Sequence, residues 1–158
     1  MSRNAINVAV NIDAPPEKVF AVLCDVERWP EWTATMLSVR RLDRGPLALG
    51  SSAQVRQPKL RAAVWQVTEL QENRSFTWTT RAPGLLMKAG HLVEPQGGGS
   101  RAALSFEISG LFAPLILSLY GGLIEQYITT ESQGLKQRCE SSTPEGALRA
   151  VAADLGKK

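Results

Sequence analysis

The chain contains few of the side chains that bind metals or form disulfide frameworks. Its 158 residues include one histidine, His91, and two cysteines, Cys24 and Cys139. The absence of a CxxC pair excludes the usual zinc and redox motifs, and a single histidine excludes a His-rich metal site. We therefore predict neither a metal ion nor a cofactor. Cys24 ends an apolar run and is interpreted as a small buried hydrophobe.

The sequence also lacks a long hydrophobic run. Its most apolar stretch, residues 111–119, contains Pro114 and is far too short to span a membrane. The N-terminal segment "MSRNAINVAV" has no apolar run of the kind found in signal peptides. These absences predict a cytoplasmic protein without an integral membrane segment.

Charge of one sign is not in strong excess. The chain has 18 basic and 15 acidic residues, a formal net charge of +3. A nucleic-acid partner needs basic residues clustered on one face, and the run Arg40, Arg41 and Arg44 is more typical of a solvated strand end. We therefore predict no nucleic-acid partner. Nothing in the sequence indicates an oligomeric state.

Hydrophobic residues are plentiful enough to form a core. They make up 44% of the chain, and its length suits one domain. We predict a single domain over residues 1–140. Residues 141–158 are polar and rich in alanine, which predicts a tail that is either coil or a loose short helix.

Two short helices are predicted near the N-terminus. The proline pair in "DAPPEKVF" suits the first turn of a helix capped by Asp13 or Ala14, because proline lacks an N–H that would be unpaired there. A second short helix is capped by Asp25 and ends at Trp29, since Pro30 discourages its continuation.

Seven strands and one long helix account for the rest of the domain. Residues 6–12 alternate between apolar and polar side chains, as a half-buried strand does. Six further strands follow the short helices: "MLSVRRL", "SAQVRQ", "RAAVWQVTEL", "SFTWTTR", "LLMKAGHLVEP" and "RAALSFEIS". From Leu111 apolar residues recur every three or four positions, which predicts an amphipathic helix of roughly 25 residues. We expect Gly121 and Gly122 within it to have a local packing reason.

This order predicts an α+β fold in which a curved seven-stranded antiparallel sheet wraps around the C-terminal helix. A sheet bent around one helix does not close perfectly, so we expect a cavity between them. Its mouth is predicted where the short helices and loops meet the end of the long helix.

The layout and its sequence blocks resemble the START-like, helix-grip superfamily, also called SRPBCC, and within it the bacterial polyketide cyclase/dehydrase-like group. The most specific block covers residues 6–42, and weaker blocks continue the likeness to residue 138: "GSSAQVRQ", "WQVTELQENRSFTW" and "HLVEPQGGGSRAALSFEISG". The resemblance implies a hydrophobic pocket for a lipid, a polyketide or another small apolar molecule. It implies less about chemistry, because such families include carriers, cyclases and hydroxylase partners.

Large apolar side chains at inward strand and helix positions are the candidate ligand contacts. Aromatic and aliphatic linings with few polar groups are typical of ligand pockets, although the same residues can form ordinary core. The predicted ligand-binding residues are Trp32, Trp65, Phe76, Trp78, Met87, His91, Phe106, Leu119, Tyr120, Leu123 and Tyr127. Trp29, in contrast, is predicted to be a structural plug.

Polar candidates are sparse. Strand alternation places His91 on the same face as Met87 and Ala89, where it could be a general base for an aldol-type cyclisation or a purely structural histidine. Rim side chains that could meet a ligand carboxylate are Arg56, Gln57 and Arg81. The acidic residues Glu107, Glu125 and Glu131 are expected to face solvent.

Three classes of function remain open at this point. The leading prediction is the binding of a small hydrophobic ligand by a carrier or sensor. The second is a cyclase or dehydrase enzyme with one acid/base, for which His91 is the candidate catalytic residue. The third is a protein-interaction role through the apolar residues 111–117, which include Phe112, although this segment could instead line the cavity entrance.

Overall fold

The computed structural model describes residues 4–141. Its elements are, in chain order, β1 (Ala5–Ile12), α1 (Pro16–Cys24), a 3-10 helix (Val26–Glu31), β2 (Ser38–Arg41), β3 (Ser52–Arg56), β4 (Ala63–Gln71), β5 (Ser75–Ala82), β6 (Leu85–Gln96), β7 (Gly99–Ser109) and α2 (Ala113–Ser141). The predicted α+β helix-grip fold is therefore confirmed. The prediction for the C-terminal tail falls outside the described residues, apart from Ser141, which ends α2. Among residues 4–141 no helix is both long and apolar enough to cross a membrane.

All seven strands belong to one antiparallel sheet. Their order is β1-β7-β6-β5-β4-β3-β2, so every strand after β2 pairs with the strand that precedes it. β1 and β2 form opposite edges, and the segment with α1 and the 3-10 helix connects them. The register of β4 and β5 shifts between Val67 and Glu69, and such a bulge increases local twist and bending. The sheet thus has a concave face that α2 can cover.

The short helices differ slightly from the prediction. The cap of α1 is Pro15, with Pro16 as the first helical residue, one or two positions later than expected. The 3-10 helix continues past Pro30 to Glu31. It can do so because the closing hydrogen bonds are donated by Trp32 and Thr33 to the Trp29 carbonyl, so the missing N–H of proline is not needed.

The two halves of α2 pack differently against the rest of the molecule. The C-terminal half buries Leu135 completely, and at Gly134 an added Cβ would lie 2.2 Å from the Trp32 carbonyl oxygen. The N-terminal half instead leaves Leu115 and Leu119 exposed. The helix is therefore anchored at one end, and the space between helix and sheet widens towards the other end.

Gly121 and Gly122 do not have the packing reason that was predicted for them. A Cβ built at either position meets no atom within 4 Å. The pair lies in the loosely packed half of α2, where each glycine weakens the helix by about 1 kcal/mol relative to alanine.

Candidate ligand-binding cavity

A cavity of about 600 Å³ lies between the concave face of the sheet and α2. Most of its wall is apolar, and the side chains that form it include Trp65, Trp78, Met87, Leu104, Phe106 and Ile124. A volume of roughly 300–1,000 Å³ with a mostly apolar lining is the usual character of a small-molecule site. The fold therefore contains space of the right size and chemistry for a hydrophobic guest.

A cluster of tryptophans forms the closed end of this cavity. Trp29 is fully buried, and its Nε1 donates a hydrogen bond of 3.0 Å to the Leu23 carbonyl. Its ring lies 5.2 Å from the ring of Trp78, which in turn lies 5.9 Å from that of Trp65. Trp29 is thus both an anchor for the 3-10 helix and part of the cavity wall. The short helices close the cavity, whereas the sequence predicted that they would flank its mouth.

The mouth lies at the opposite end, beside the N-terminal half of α2. There the β3–β4 loop contributes Lys59 and Arg61, and the end of β5 contributes Arg81. All three are exposed, and none forms an ion pair with a residue that the structure describes. The entrance is therefore positively charged.

His91 is buried on the cavity wall with a fixed ring orientation. Its Nδ1 lies 3.3 Å from the Phe76 carbonyl oxygen, and its ring stacks on Phe76 with centroids 4.3 Å apart. Burial lowers the pKa of His91 from 6.5 to about 4, so the ring is neutral at neutral pH. Because a carbonyl can only accept, Nδ1 carries the proton and Nε2 is left as an acceptor.

Glu131 on α2 is the second titratable group buried in the wall, and sequence reasoning wrongly placed it in solvent. Only 8% of it is exposed, and its carboxyl makes no hydrogen bond or ion pair with any residue in the described range. Burial raises its pKa from 4.5 to about 8, so the carboxyl is neutral at pH 7. Its spacing from Ile128 and Leu135, three and four residues, places it on the buried helical face and could have revealed it.

A family model matches most of the chain. Residues 4–140 match the family described as polyketide cyclase / dehydrase and lipid transport. The chain belongs to this family. No curated protein matches its sequence.

Solved structures with the family's fold are similar to the chain over nearly its whole length. TTHA0849 from Thermus thermophilus is 16% identical with a TM-score of 0.71, covering 88% of this chain and 99% of its own. A START superfamily protein from Mycobacterium smegmatis is 16% identical with a TM-score of 0.69, and the match covers 89% of this chain and 99% of that protein. The Zhui aromatase/cyclase from Streptomyces sp. R1128 is 14% identical with a TM-score of 0.71, and the match covers 87% of this chain and 93% of that protein. At these identities the likeness shows the fold alone.

Seven of the predicted ligand-binding residues line the cavity. The strands supply Trp65, Trp78, Met87, His91 and Phe106, and α2 supplies Tyr120 and Tyr127. The Tyr127 hydroxyl already donates to the Pro58 carbonyl in the β3–β4 loop. The contact of these side chains with a ligand stays a prediction.

Two predicted ligand contacts outside α2 are not part of the cavity wall. Phe76 is completely buried and stacks against His91, its cross-strand partner, but it does not line the cavity. Trp32 packs beside Trp29, with ring centroids 5.5 Å apart, and beneath Gly134 of α2. It is a packing residue at the closed end and does not line the cavity.

Two predicted contacts on α2 also lie off the wall. Leu119 is 67% exposed, and Leu123 is half-buried. Each is one position before a residue of the wall, Tyr120 or Ile124. One residue turns an α-helix by about 100°, so this small error in phase moves a side chain from the wall to the flank.

The rim candidates and the apolar residues 111–117 differ in whether they line the cavity. Gln57 and Arg81 line the cavity, whereas Arg56 points to solvent outside it. Residues 111–117 contribute Ile116 to the wall and leave Leu111 and Phe112 exposed. Glu107 and Glu125 face solvent as predicted.

Proposed function

We propose that the protein binds a small, largely hydrophobic ligand in the cavity between the sheet and α2 and acts as a carrier or sensor. The observation that carries this proposal is the apolar cavity of about 600 Å³, which has a mouth at one end and a tryptophan cluster at the other. Membership of a family described as polyketide cyclase / dehydrase and lipid transport supports the same class of ligand. The cytoplasmic location predicted from the sequence stays a prediction.

A cavity-filling variant with a matched control tests this proposal. Ala89 lies on the cavity wall between its cross-strand partners Trp78 and Phe106, so Ala89→Phe places a ring inside the cavity. Ala103→Phe makes the same change on the other face of the sheet, beside exposed Ala9. We expect an apolar fluorescent probe, displaceable by fatty acids or polyketide-like phenols, to bind the wild type and Ala103→Phe but not Ala89→Phe.

Native mass spectrometry and solvent extraction of the purified protein provide an independent measurement. A co-purified small molecule of apolar character is expected in the wild type and not in Ala89→Phe. If no probe binds and nothing is extracted, or if both variants bind equally, the cavity is not a ligand site.

An acid/base enzyme is the second candidate. The observation that favours it is that the cavity wall holds two buried titratable side chains, His91 and Glu131, and neither Nε2 nor the carboxyl has a partner among the described residues. A neutral imidazole can accept a proton and a neutral carboxyl can donate one during the cyclisation of a poly-keto chain. Turnover of a poly-β-keto thioester analogue should then fall strongly in His91→Gln. Undiminished turnover in that variant would remove His91 from the mechanism.

A further inference from the structure

The wall that α2 contributes to the cavity runs from the mouth to the closed end. Ile116, Tyr120, Ile124 and Ile128 follow one another at intervals of four residues, and Glu131 comes next on the same face. The distance from Ile116 to Glu131 along the helix is roughly 22 Å at 1.5 Å per residue. Gly134, one turn beyond Glu131, already touches the backbone at Trp32. Glu131 therefore lies at the closed end.

Charge is divided between the two ends of the cavity. Lys59, Arg61 and Arg81 surround the mouth, whereas Glu131 is the one acidic side chain among the cavity-lining residues of the described range. The exposed cations can pair with an anion without losing their hydration completely. A ligand that leaves an anionic group at the mouth is thus favoured over one that carries it inward.

The carboxyl of Glu131 has an unmet hydrogen-bonding capacity. It is 8% exposed, borders the cavity and has no partner among residues 4–141. Burial keeps it protonated at neutral pH, since it raises the pKa to about 8. A protonated carboxyl has one O–H to donate, and a buried donor without an acceptor destabilises the protein. A ligand group that accepts this hydrogen bond removes that destabilisation.

We propose that the cavity takes a two-ended ligand, namely a hydrophobic carboxylic acid whose anion lies beside Lys59, Arg61 and Arg81 and whose far end carries a carbonyl oxygen that accepts a hydrogen bond from Glu131. Glu131 is then the residue that selects keto acids over plain fatty acids. The inference rests on the proposed function, because it presumes that the cavity is the ligand site.

Keto acids and keto esters share the carbonyl, and the mouth distinguishes them. An ester has no negative charge for Lys59, Arg61 and Arg81 to pair with, so it should bind more weakly than the free acid. The alternative partner for the Glu131 carboxyl is an amine at the far end of the ligand, because an ammonium group would pair with an ionised Glu131. The structure favours the carbonyl, since two charges buried together must both lose their hydration.

Isothermal titration calorimetry with four ligands tests the closed end. The first two ligands are palmitic acid and the keto acid of the same chain length that has a ketone beside its terminal methyl group. The other two are the methyl ester of that keto acid and palmitic acid with an amino group at its methyl end. We expect the keto acid to bind the wild type about 5- to 30-fold more tightly than palmitic acid, as one hydrogen bond to a buried group implies. Glu131→Leu should abolish this preference, and Glu131→Gln, which retains a neutral donor, should keep most of it.

Two controls make the outcome specific. Glu125→Leu removes an exposed acid from the same helix and should leave the preference unchanged. The combined substitution Lys59→Met, Arg61→Met and Arg81→Met should abolish the preference for the acid over its methyl ester while the preference for the ketone persists. Melting curves of all variants check whether they are folded.

The results separate this inference from the proposed function. If palmitic acid and the keto acid bind the wild type equally, or if Glu131→Leu keeps the preference, the role of Glu131 is wrong although the cavity still binds hydrophobic ligands. Tighter binding of the amino acid than of the keto acid would also overturn it. If none of the four ligands binds, the proposed function itself fails.

Discussion

The imidazole of His91 is held against Phe76 in two ways at once. The two residues are cross-strand partners on β5 and β6, their rings stack 4.3 Å apart, and Nδ1 lies 3.3 Å from the Phe76 carbonyl oxygen. The same residue therefore fixes both the plane and the tautomer of the ring. As a consequence, Nε2 is the nitrogen available to the cavity, and the ring stays neutral because it is enclosed by Trp29, Trp78 and Phe76.

The first prediction concerns stability in acid. Burial lowers the pKa of His91 in the folded protein from 6.5 to about 4, so the unfolded chain takes up a proton at a higher pH than the folded one does. His91 therefore destabilises the fold as the pH falls from 6.5 to about 4, by an amount on the order of a few kcal/mol. Urea unfolding of His91→Gln should show a weaker loss of stability over this interval than the wild type. Identical pH profiles would mean that the ring is not desolvated.

The second prediction concerns Glu131 and the loss of stability as the pH rises. Its folded-state pKa of about 8 exceeds the ordinary 4.5, so the stability present below pH 4.5 is lost progressively as the pH rises to about 8. Glu131→Gln replaces the titrating group by a neutral one of similar shape. The free energy of unfolding of the wild type should fall, relative to this variant, by an amount on the order of a few kcal/mol between those limits. Glu125→Gln, on the exposed side of α2, is the matched control.

The strands could be predicted well because their signal is local. In β6 the alternation that places Met87, Ala89 and His91 on one face follows from the period of the pleat alone, and the structure shows the same face towards the cavity. The alternation of a strand predicts the face on which a side chain lies but not which residues it contacts. Phe76 has the inward orientation expected of it but does not line the cavity, and its contact with His91 depends on the register between two strands.

The site residues on α2 were harder to predict. A helix turns by about 100° per residue, so the choice between Leu119 and Tyr120, or Leu123 and Ile124, requires the rotation of the helix relative to the sheet. Apolar residues occur both on the face of α2 that lines the cavity and on its exposed flank, so the sequence pattern does not identify the rotation of the helix. Glu131 was missed because a charged residue is seldom buried without a partner.

The third prediction compares glycines of α2 that look alike in the sequence. Gly122 is exposed and an added Cβ there meets nothing, so Gly122→Ala should stabilise the protein by about 1 kcal/mol. Gly134→Ala on the same helix should destabilise it, because the new methyl group would lie 2.2 Å from the Trp32 carbonyl oxygen. Thermal melts of both variants check the signs. Equal effects would contradict the picture of a helix anchored at one end and loosely packed at the other.

The fourth prediction concerns the link between α2 and the mouth. The Tyr127 hydroxyl donates to the Pro58 carbonyl and so ties the helix to the loop that carries Lys59, a residue with a positive φ of 65°. Tyr127→Phe removes this tie, so the amides of residues 58–62 should exchange with deuterium faster and a bound ligand should dissociate faster.

Tyr120→Phe is the matched control for that experiment. Tyr120 also lines the cavity, but its hydroxyl has no hydrogen-bond partner in the described part of the chain. Both variants lose the same oxygen from the same helix, so only the tie to Pro58 distinguishes them. Faster exchange in Tyr127→Phe alone would show that this hydrogen bond restrains the loop at the mouth. Equal exchange in both variants would show instead that the loop is held by its own turn, in which the Leu60 N–H donates to the Gln57 carbonyl.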